Sequence, residues 1–242
     1  MRKLVLNIPH SSVNGIFDPW IGRWPREAGF INEAVRKYTD WFTDFLFATE
    51  RDNVVPVIFD YSRFVCDAER LDDDPLKSSG QGIIYTEYLG YKRGALPEDA
   101  RAFLLGLRRR HLGKLSEELS EDGSILIDCH SFTNRDGVTP DICIGFNNDS
   151  SYDVEVVSIV KDIFRDSGYS VALNFPYSNS LVPAPLETIS YKSIMIEVNK
   201  RIYMDREALL LKDDSEHLTR WFGCMEEIYE KLSRLPFRTY EM

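Results

Sequence analysis

The chain has 242 residues, 43% hydrophobic and 28% charged, which is enough apolar content to bury one substantial core and too much for a disordered chain. Lys+Arg of 29 against Asp+Glu of 39 gives a formal charge of -10, so nucleic acid and anionic membrane surfaces are poor partners. One domain over residues 1–242 is expected. The basic pair Arg2-Lys3 precedes an apolar run too short for a signal-peptide core, and no later run is long enough to span a bilayer, so the chain reads as cytoplasmic.

The first predicted strand, Leu4 to Ile8, leads through Pro9 to His10. A helical pattern covers Phe30 to Glu50, followed by a strand from Val54 to Phe59 that ends at Asp60. Its continuous apolar run suggests a central strand covered on both faces, although Pro56 restricts its pairing. Residues 72–92 open with Asp72-Asp73-Asp74-Pro75 and include Gly80 and Gly82, a stretch too long for a plain turn and suited to a covering loop. Pro97-Glu98-Asp99 then starts a helix to Leu119, with Leu104, Leu107, His111 and Leu115 at helical spacing; His111 reads as a helix-face residue. A strand from Ile125 to Ile127 runs into Asp128-Cys129-His130, and another covers Ile142 to Gly145. A helix from Tyr152 to Ser167 precedes strands Ser170 to Leu173 and Ser193 to Val198, the last carrying Glu197. The final helix, Ser215 to Leu235, has an apolar stripe of Leu218, Trp221, Phe222, Met225, Ile228, Tyr229 and Leu232 that suits a core face.

Strands alternating with helices predict an α/β chain with a sheet flanked by helices. The four cysteines, Cys66, Cys129, Cys143 and Cys224, form no C-x-x-C pair, which leaves neither a zinc ribbon nor a dithiol motif and suggests buried, reduced thiols. There is no Walker A sequence and no G-x-S-x-G elbow, and Gly80-Gln81-Gly82 lacks the rest of a dinucleotide fingerprint.

The polar residues at strand ends carry more information. His10, Asp60, Asp128, His130 and Glu197 all fall at or near carboxyl ends of predicted strands, the edge that lines the ligand crevice of open α/β sheets. A lone histidine after a strand is commonly structural, but two of the chain's four histidines at matching ends, with carboxylates nearby, suggest a metal site. Asp128 can cap the next segment or orient an imidazole. Glu197, set among apolar residues, is costly to bury unless it is paired or bound.

Five blocks resemble those of the N-formylglutamate amidohydrolase family, in the same order. They are Pro9-His10-Ser11-Ser12, Thr39-Asp40-Trp41, Ser62 to Arg70, Asp128-Cys129-His130-Ser131 and Ile196 to Met204. The resemblance implies a three-layer α/β/α fold with a mixed central sheet, similar to the zinc carboxypeptidases (phosphorylase/hydrolase-like). It also implies hydrolysis of the amide of a small N-acyl amino acid with one Zn2+ per chain, nickel, cobalt or iron being the alternative metals for such a site. Under it His10 and His130 become metal ligands, Glu197 the catalytic glutamate, and Arg63 and Arg70 the guanidinium groups for the polarised carbonyl and the substrate carboxylate. Asp67, Ser131 and Asn199 join Arg70 as substrate-binding residues. Zinc carboxypeptidases carry a glutamate three residues after the first histidine, where this chain has Val13. The carboxylate ligand must then come from elsewhere; Asp40, in the block that resembles the family's Thr-Asp segment, is the first choice, with Asp60 and Asp67 as rivals. Asn174 to Ser180 also departs from the glycine-rich segment and arginine of typical members, which widens the expected substrates to other acyl, peptide or cell-wall amides. A binding protein that has kept the cleft without turnover is the non-enzymatic alternative.

Overall fold

The computed structural model describes residues 1–133, 139–184, 189–205, 209–212 and 215–236. Eight strands position the site: β1 (Leu4–Ile8), β2 (Val54–Ile58), β3 (Glu87–Tyr88), β4 (Tyr91–Lys92), β5 (Ile125–Phe132), β6 (Ile142–Gly145), β7 (Val171–Leu173) and β8 (Lys192–Asn199). Six of them form one sheet in the order β2-β1-β5-β8-β6-β7, and β3 and β4 pair as a small hairpin. Neighbours in the main sheet are parallel except β6 with β8, which makes it the mixed sheet expected.

Strand periodicity divides the sheet between two layers of helix. Leu4, Leu6, Ile8, Ile125, Ile127, Cys129, Ile194, Ile196 and Val198 face helices Val154–Asp166 and Ser215–Arg234, whose Val160, Phe164, Trp221, Met225 and Ile228 complete the larger core. On the opposite face Val5, Val57 and Leu126 pack against Leu115 of helix Glu98–Glu118 and its C-cap residue Leu119. Further along, that face changes character, because Asn7, Asp128, His130 and Glu197 follow with the same period of two. The change from apolar to polar on one face marks where the core stops and the cavity begins.

The helices end where local chemistry stops them. The Asp153 side chain accepts hydrogen bonds from the backbone N–H groups of Glu155 and Val156, capping helix Val154–Asp166. Gly168, with φ of 86°, provides the left-handed turn after it. In the last helix the buried Trp221 and Tyr229 direct their polar tips to the carbonyls of Leu46 and Phe47. All four cysteines are buried and unbridged.

Two expectations change. β2 is an edge strand, not a central one; its pairing side is β1 alone, which tolerates Pro56, and Ile58 is exposed. The helix expected from Phe30 to Glu50 is broken. Helical turns over Ala28–Phe30, a π-turn over Ile31–Val35 and another turn over Arg36–Tyr38 end at Thr39, which is extended. The backbone N–H of Asp40 then bonds the His10 carbonyl, and Phe42 takes a left-handed φ of 64° before the short helix Thr43–Leu46. Apolar spacing cannot report such a tertiary hydrogen bond, which overrides helix propensity here.

Residues 72–92 form a 3-10 turn over Pro75–Ser79 and then the β3–β4 hairpin, with Gly80 at φ of 82° between them. A buried guanidinium fastens this region. Arg93 Nε donates to the Gly22 carbonyl at 2.6 Å, and its terminal nitrogens donate to the carbonyls of Val65, Tyr85 and Ile21.

Candidate active site

Parallel register assembles the site floor. His130 on β5 pairs with Glu197 on β8, and Asn7 on β1 pairs with Asp128 on β5, so all four side chains share one face. Asp40 arrives from the end of the broken helix, held to the first strand's end by its bond to the His10 carbonyl. Arg63, Asp67, Glu69 and Arg70 come from the segment after β2. Together these elements surround a cavity of about 810 Å³ lined by His10, Asp40, Arg63, Glu69, Arg70, His130, Ser131, Glu197 and Lys200, among others.

The two imidazoles lie 5.2 Å apart between ring centroids. Asp40 Oδ2 is 3.1 Å from His130 Nδ1 and 3.7 Å from His10 Nδ1. These three residues offer ligand atoms that all lie within 4.8 Å of one another. The opposite ring nitrogens are occupied by other carboxylates. His10 Nε2 is 3.0 Å from Asp67 Oδ1, and His130 Nε2 is 3.1 Å from Asp128 Oδ1 and 3.2 Å from Glu69 Oε2. A proton on Nε2 directed to a carboxylate leaves the Nδ1 lone pair free, the tautomer a metal ligand requires.

Two observations show that the donors fit a cation. His10 Nδ1 is buried and has no hydrogen-bond partner among the described residues. The surrounding field also favours positive charge. Burial and the Arg63 charge pull the His10 imidazole down, but Asp67 and Asp40 leave it above its ordinary pKa. Burial likewise opposes the charge on His130, yet Glu69 and Asp128 raise it well above the usual histidine value. A field that attracts a proton to the rings attracts a divalent ion to the same lone pairs. Asp40, despite burial, is held well below the usual carboxylate range by both imidazoles and Lys200, so it is an ionised oxygen donor. Two nitrogens and one carboxylate leave room for a further ligand, as in catalytic zinc sites. His130, Glu69 and Asp128 also form a possible metal-holding group on the far side of the ring. There, however, Asn7 Nδ2 already donates to Glu69 Oε1 at 2.6 Å and to Asp128 Oδ1 at 2.8 Å.

Glu197 is 7% exposed and its Oε2 lacks a hydrogen-bond partner among the described residues. Burial pushes its carboxyl up to about 7, with His130 opposing and Asp40 adding to the rise. Such a group can exchange a proton near neutral pH. Arg63 donates to Asp67 Oδ2 at 3.2 Å. Arg70 donates to Asp67, to Asp74 at 3.0 Å and to the Tyr85 hydroxyl at 2.8 Å, so much of its fork is already engaged.

Other expectations separate by position. Asp60 is exposed, while its carbonyl accepts from Ser12 and Asn14, so it lies outside the donor cluster. Asp67 sits behind His10 and not on the cavity surface, because its carboxylate is taken up by His10, Arg63, Arg70 and Tyr85. Asn199 is fully buried away from the cavity; it bonds the Pro140 carbonyl and caps the next helical turn at Arg201. Ser131 lines the cavity.

A family model described as N-formylglutamate amidohydrolase matches residues 2–204. The chain belongs to the N-formylglutamate amidohydrolase family. An N-formylglutamate deformylase of Pseudomonas putida is 31% identical over 156 residues, 56% of this chain and 58% of that protein. The match therefore spans little more than half the relative's length. An N-formylglutamate amidohydrolase from Ralstonia eutropha JMP134 superposes at a TM-score of 0.65 and 16% identity, covering 96% of this chain and 94% of that one. A gene product of Agrobacterium tumefaciens superposes at 0.63 and 17% identity, covering 96% and 91%. At these identities the two structures establish a shared fold.

In this member of the N-formylglutamate amidohydrolase family, several site residues carried no sequence signal of their own. Glu69 lies two residues after Asp67 in the arginine-bearing block and reaches both imidazoles, at 3.2 Å from His130 Nε2 and 3.8 Å from His10 Nδ1. Asn7 is hidden inside an apolar strand, where a buried amide flanked by Leu6 and Ile8 is the available clue. His111 lies on the buried face of its helix and completes that network, with Nε2 2.8 Å from Asn7 Oδ1. Residues 72–92 supply Asp74, Leu76, Gln81, Tyr85 and Tyr88 to the cavity wall.

Proposed function

We propose that the chain is a zinc-dependent hydrolase of the amide bond in N-formylglutamate or a closely similar N-acyl amino acid. The observation that carries this reading is the convergence of His10, Asp40 and His130, with both Nδ1 atoms directed to Asp40 Oδ2, beside the buried Glu197 carboxyl in one cavity. Family membership supplies the reaction class.

His10, Asp40 and His130 hold the cation, whose mixed nitrogen and oxygen donors suit zinc. A zinc ion bound there supplies a Lewis acid that lowers the pKa of water to about 7 and polarises a carbonyl. Glu197 accepts the attacking water's proton and returns it to the departing nitrogen, a role suited to a carboxyl that titrates near 7. Arg63 faces the charge that develops on the carbonyl oxygen. Arg70 and Ser131 hold the substrate carboxylate, Arg70 exchanging its Asp74 contact for the incoming acid. Asp67 and Asp128 fix the rings through Nε2, and residues 72–92 wall the cavity through Asp74, Leu76, Gln81, Tyr85 and Tyr88.

Elemental analysis of the purified protein beside His130→Ala tests the metal. About one zinc per chain in the wild type, lost in the variant, is expected. Formyl, acetyl and peptidyl derivatives of glutamate then test the substrate, with formylglutamate expected to turn over fastest. A second reading, hydrolysis of a peptide or cell-wall amide, is favoured by a cavity of about 810 Å³, ample for more than one small acyl amino acid. Faster peptidyl cleavage would select it. Tight binding of every derivative with turnover of none, at saturating metal, would leave a binding protein instead.

A further inference from the structure

Lys200 is the first residue of the helical turn that follows β8 and is only 1% exposed. A buried ammonium is costly unless its three donors are met. Its Nζ donates to the Lys37 carbonyl at 3.0 Å and the Ser131 carbonyl at 3.4 Å, and lies 3.7 Å from Asp40 Oδ1. These contacts place it between the break in the helix before Asp40 and the end of β5 beyond His130. Asp40's other oxygen, Oδ2, faces His130 Nδ1 and His10 Nδ1. The carboxylate is thus divided, one oxygen toward an ammonium and one toward the imidazoles.

We propose that Lys200 is a positioning residue that makes Asp40 a one-oxygen donor, fixing its rotamer and keeping Oδ2 directed at the gap between the two rings. The inference rests on the reading that His10, Asp40 and His130 hold a cation. Without the ammonium, Asp40 is free to rotate, to bind through both oxygens or to pair with another donor. The two carbonyl contacts serve the same end, since Lys37 and Asp40 belong to one segment and Ser131 follows His130. Lys200 therefore ties the two ligand-bearing segments to each other as well as to itself.

The test is zinc affinity, measured on metal-free protein by competition with a chromophoric chelator, with folding followed by circular dichroism. Lys200→Met is expected to weaken zinc by about tenfold to hundredfold, the range for groups that orient a metal ligand. Lys200→Gln retains an amide donor for the carbonyls, guards against a variant that fails to fold, and is expected to lose affinity as well. In an Asp40→Asn background, Lys200→Met should add no more than about a twofold further loss, because the residue acts through Asp40. A general structural role would lower affinity equally in both backgrounds. A folded Lys200→Met or Lys200→Gln protein that binds zinc as the wild type does overturns the proposal, as does a full loss in the Asp40→Asn background. Wild type that takes up zinc yet cleaves no amide removes the hydrolase reading while the affinities still decide the role of Lys200. Wild type that takes up no zinc removes both.

Discussion

His130 and Glu197 are neighbours because two eight-residue strands run in parallel register, whereas Asp40 reaches the same cavity from the end of an interrupted helix. The first placement is made by a ladder of backbone hydrogen bonds and an alternation of side chains. The second depends on particular tertiary contacts: the bond from Asp40 N–H to the His10 carbonyl, the turn at Phe42 and the ion pair with Lys200. A strand-borne group tolerates loss of a neighbour because its backbone is fixed on both sides. A group borne on a break relies on each tether. Damage to strand-borne residues should therefore appear mainly as lost chemistry, and damage around the break as lost geometry.

The sharpest test on the strand side is Glu197→Gln. It should keep zinc and fold and lose about 10²- to 10⁴-fold in kcat, the usual contribution of a general base. Near-normal turnover in steady-state kinetics would remove the assignment.

The next effect concerns His111, which supports the floor through Asn7. Burial, aided by the charge of His10, lowers its pKa to about 4. Because the folded value lies below the ordinary 6.5, its contribution to stability is complete above about pH 6.5. That contribution is lost as pH falls toward 4, where the unfolded chain takes up the proton first. The loss amounts to about 2 to 3 kcal/mol. Urea unfolding across that interval should show a shallower acid decline in His111→Gln, whose amide can still meet Asn7; an unchanged decline would assign the acid sensitivity to other groups.

Smaller still, Asp67→Asn should reduce zinc affinity or turnover by about tenfold to hundredfold through the orientation of His10. Its effect should exceed that of Asp60→Asn, which should leave both at wild-type levels. Equal losses in the two would break the distinction between a carboxylate behind the ring and one at the surface. The smallest effect concerns a residue that does not line the cavity. Asp153→Ala removes a helix cap and should cost about 1 kcal/mol by thermal or urea unfolding, without change in kcat.

This contrast also explains what was legible in the sequence. β1 and β6 have the bounds that apolar patterning predicts, and the long helices differ from expectation by a residue or two at their ends. His10, His130 and Glu197 could be identified as a group because each sits at a strand end, a position that order along the chain reveals. β5 extends to Phe132, beyond its predicted apolar stretch, because Asp128 and His130 keep the strand's alternation while facing a cavity. Asn199 ends the β8 run as closely as Glu197 does, but the chain turns into a helix there and uses its side chain as a cap. The roles of Glu69, Asn7 and Lys200 depend on contacts between residues distant in sequence, and no local period encodes those. Asp40 emerged from the resemblance to the family, while apolar spacing alone ran a helix through it.

Arg93 holds together three stretches of chain, at residues 21–22, 65 and 85, through four carbonyl oxygens. Fixing distant loops with a covalent crosslink would require two paired thiols and an oxidising environment. The four thiols of this chain are buried and unbridged, so the guanidinium acts as a redox-independent rivet. The segment bearing Arg63 and Arg70 is consequently anchored by a fastening that reducing agents cannot open, one that depends on a single planar cation too specific in shape for lysine to replace.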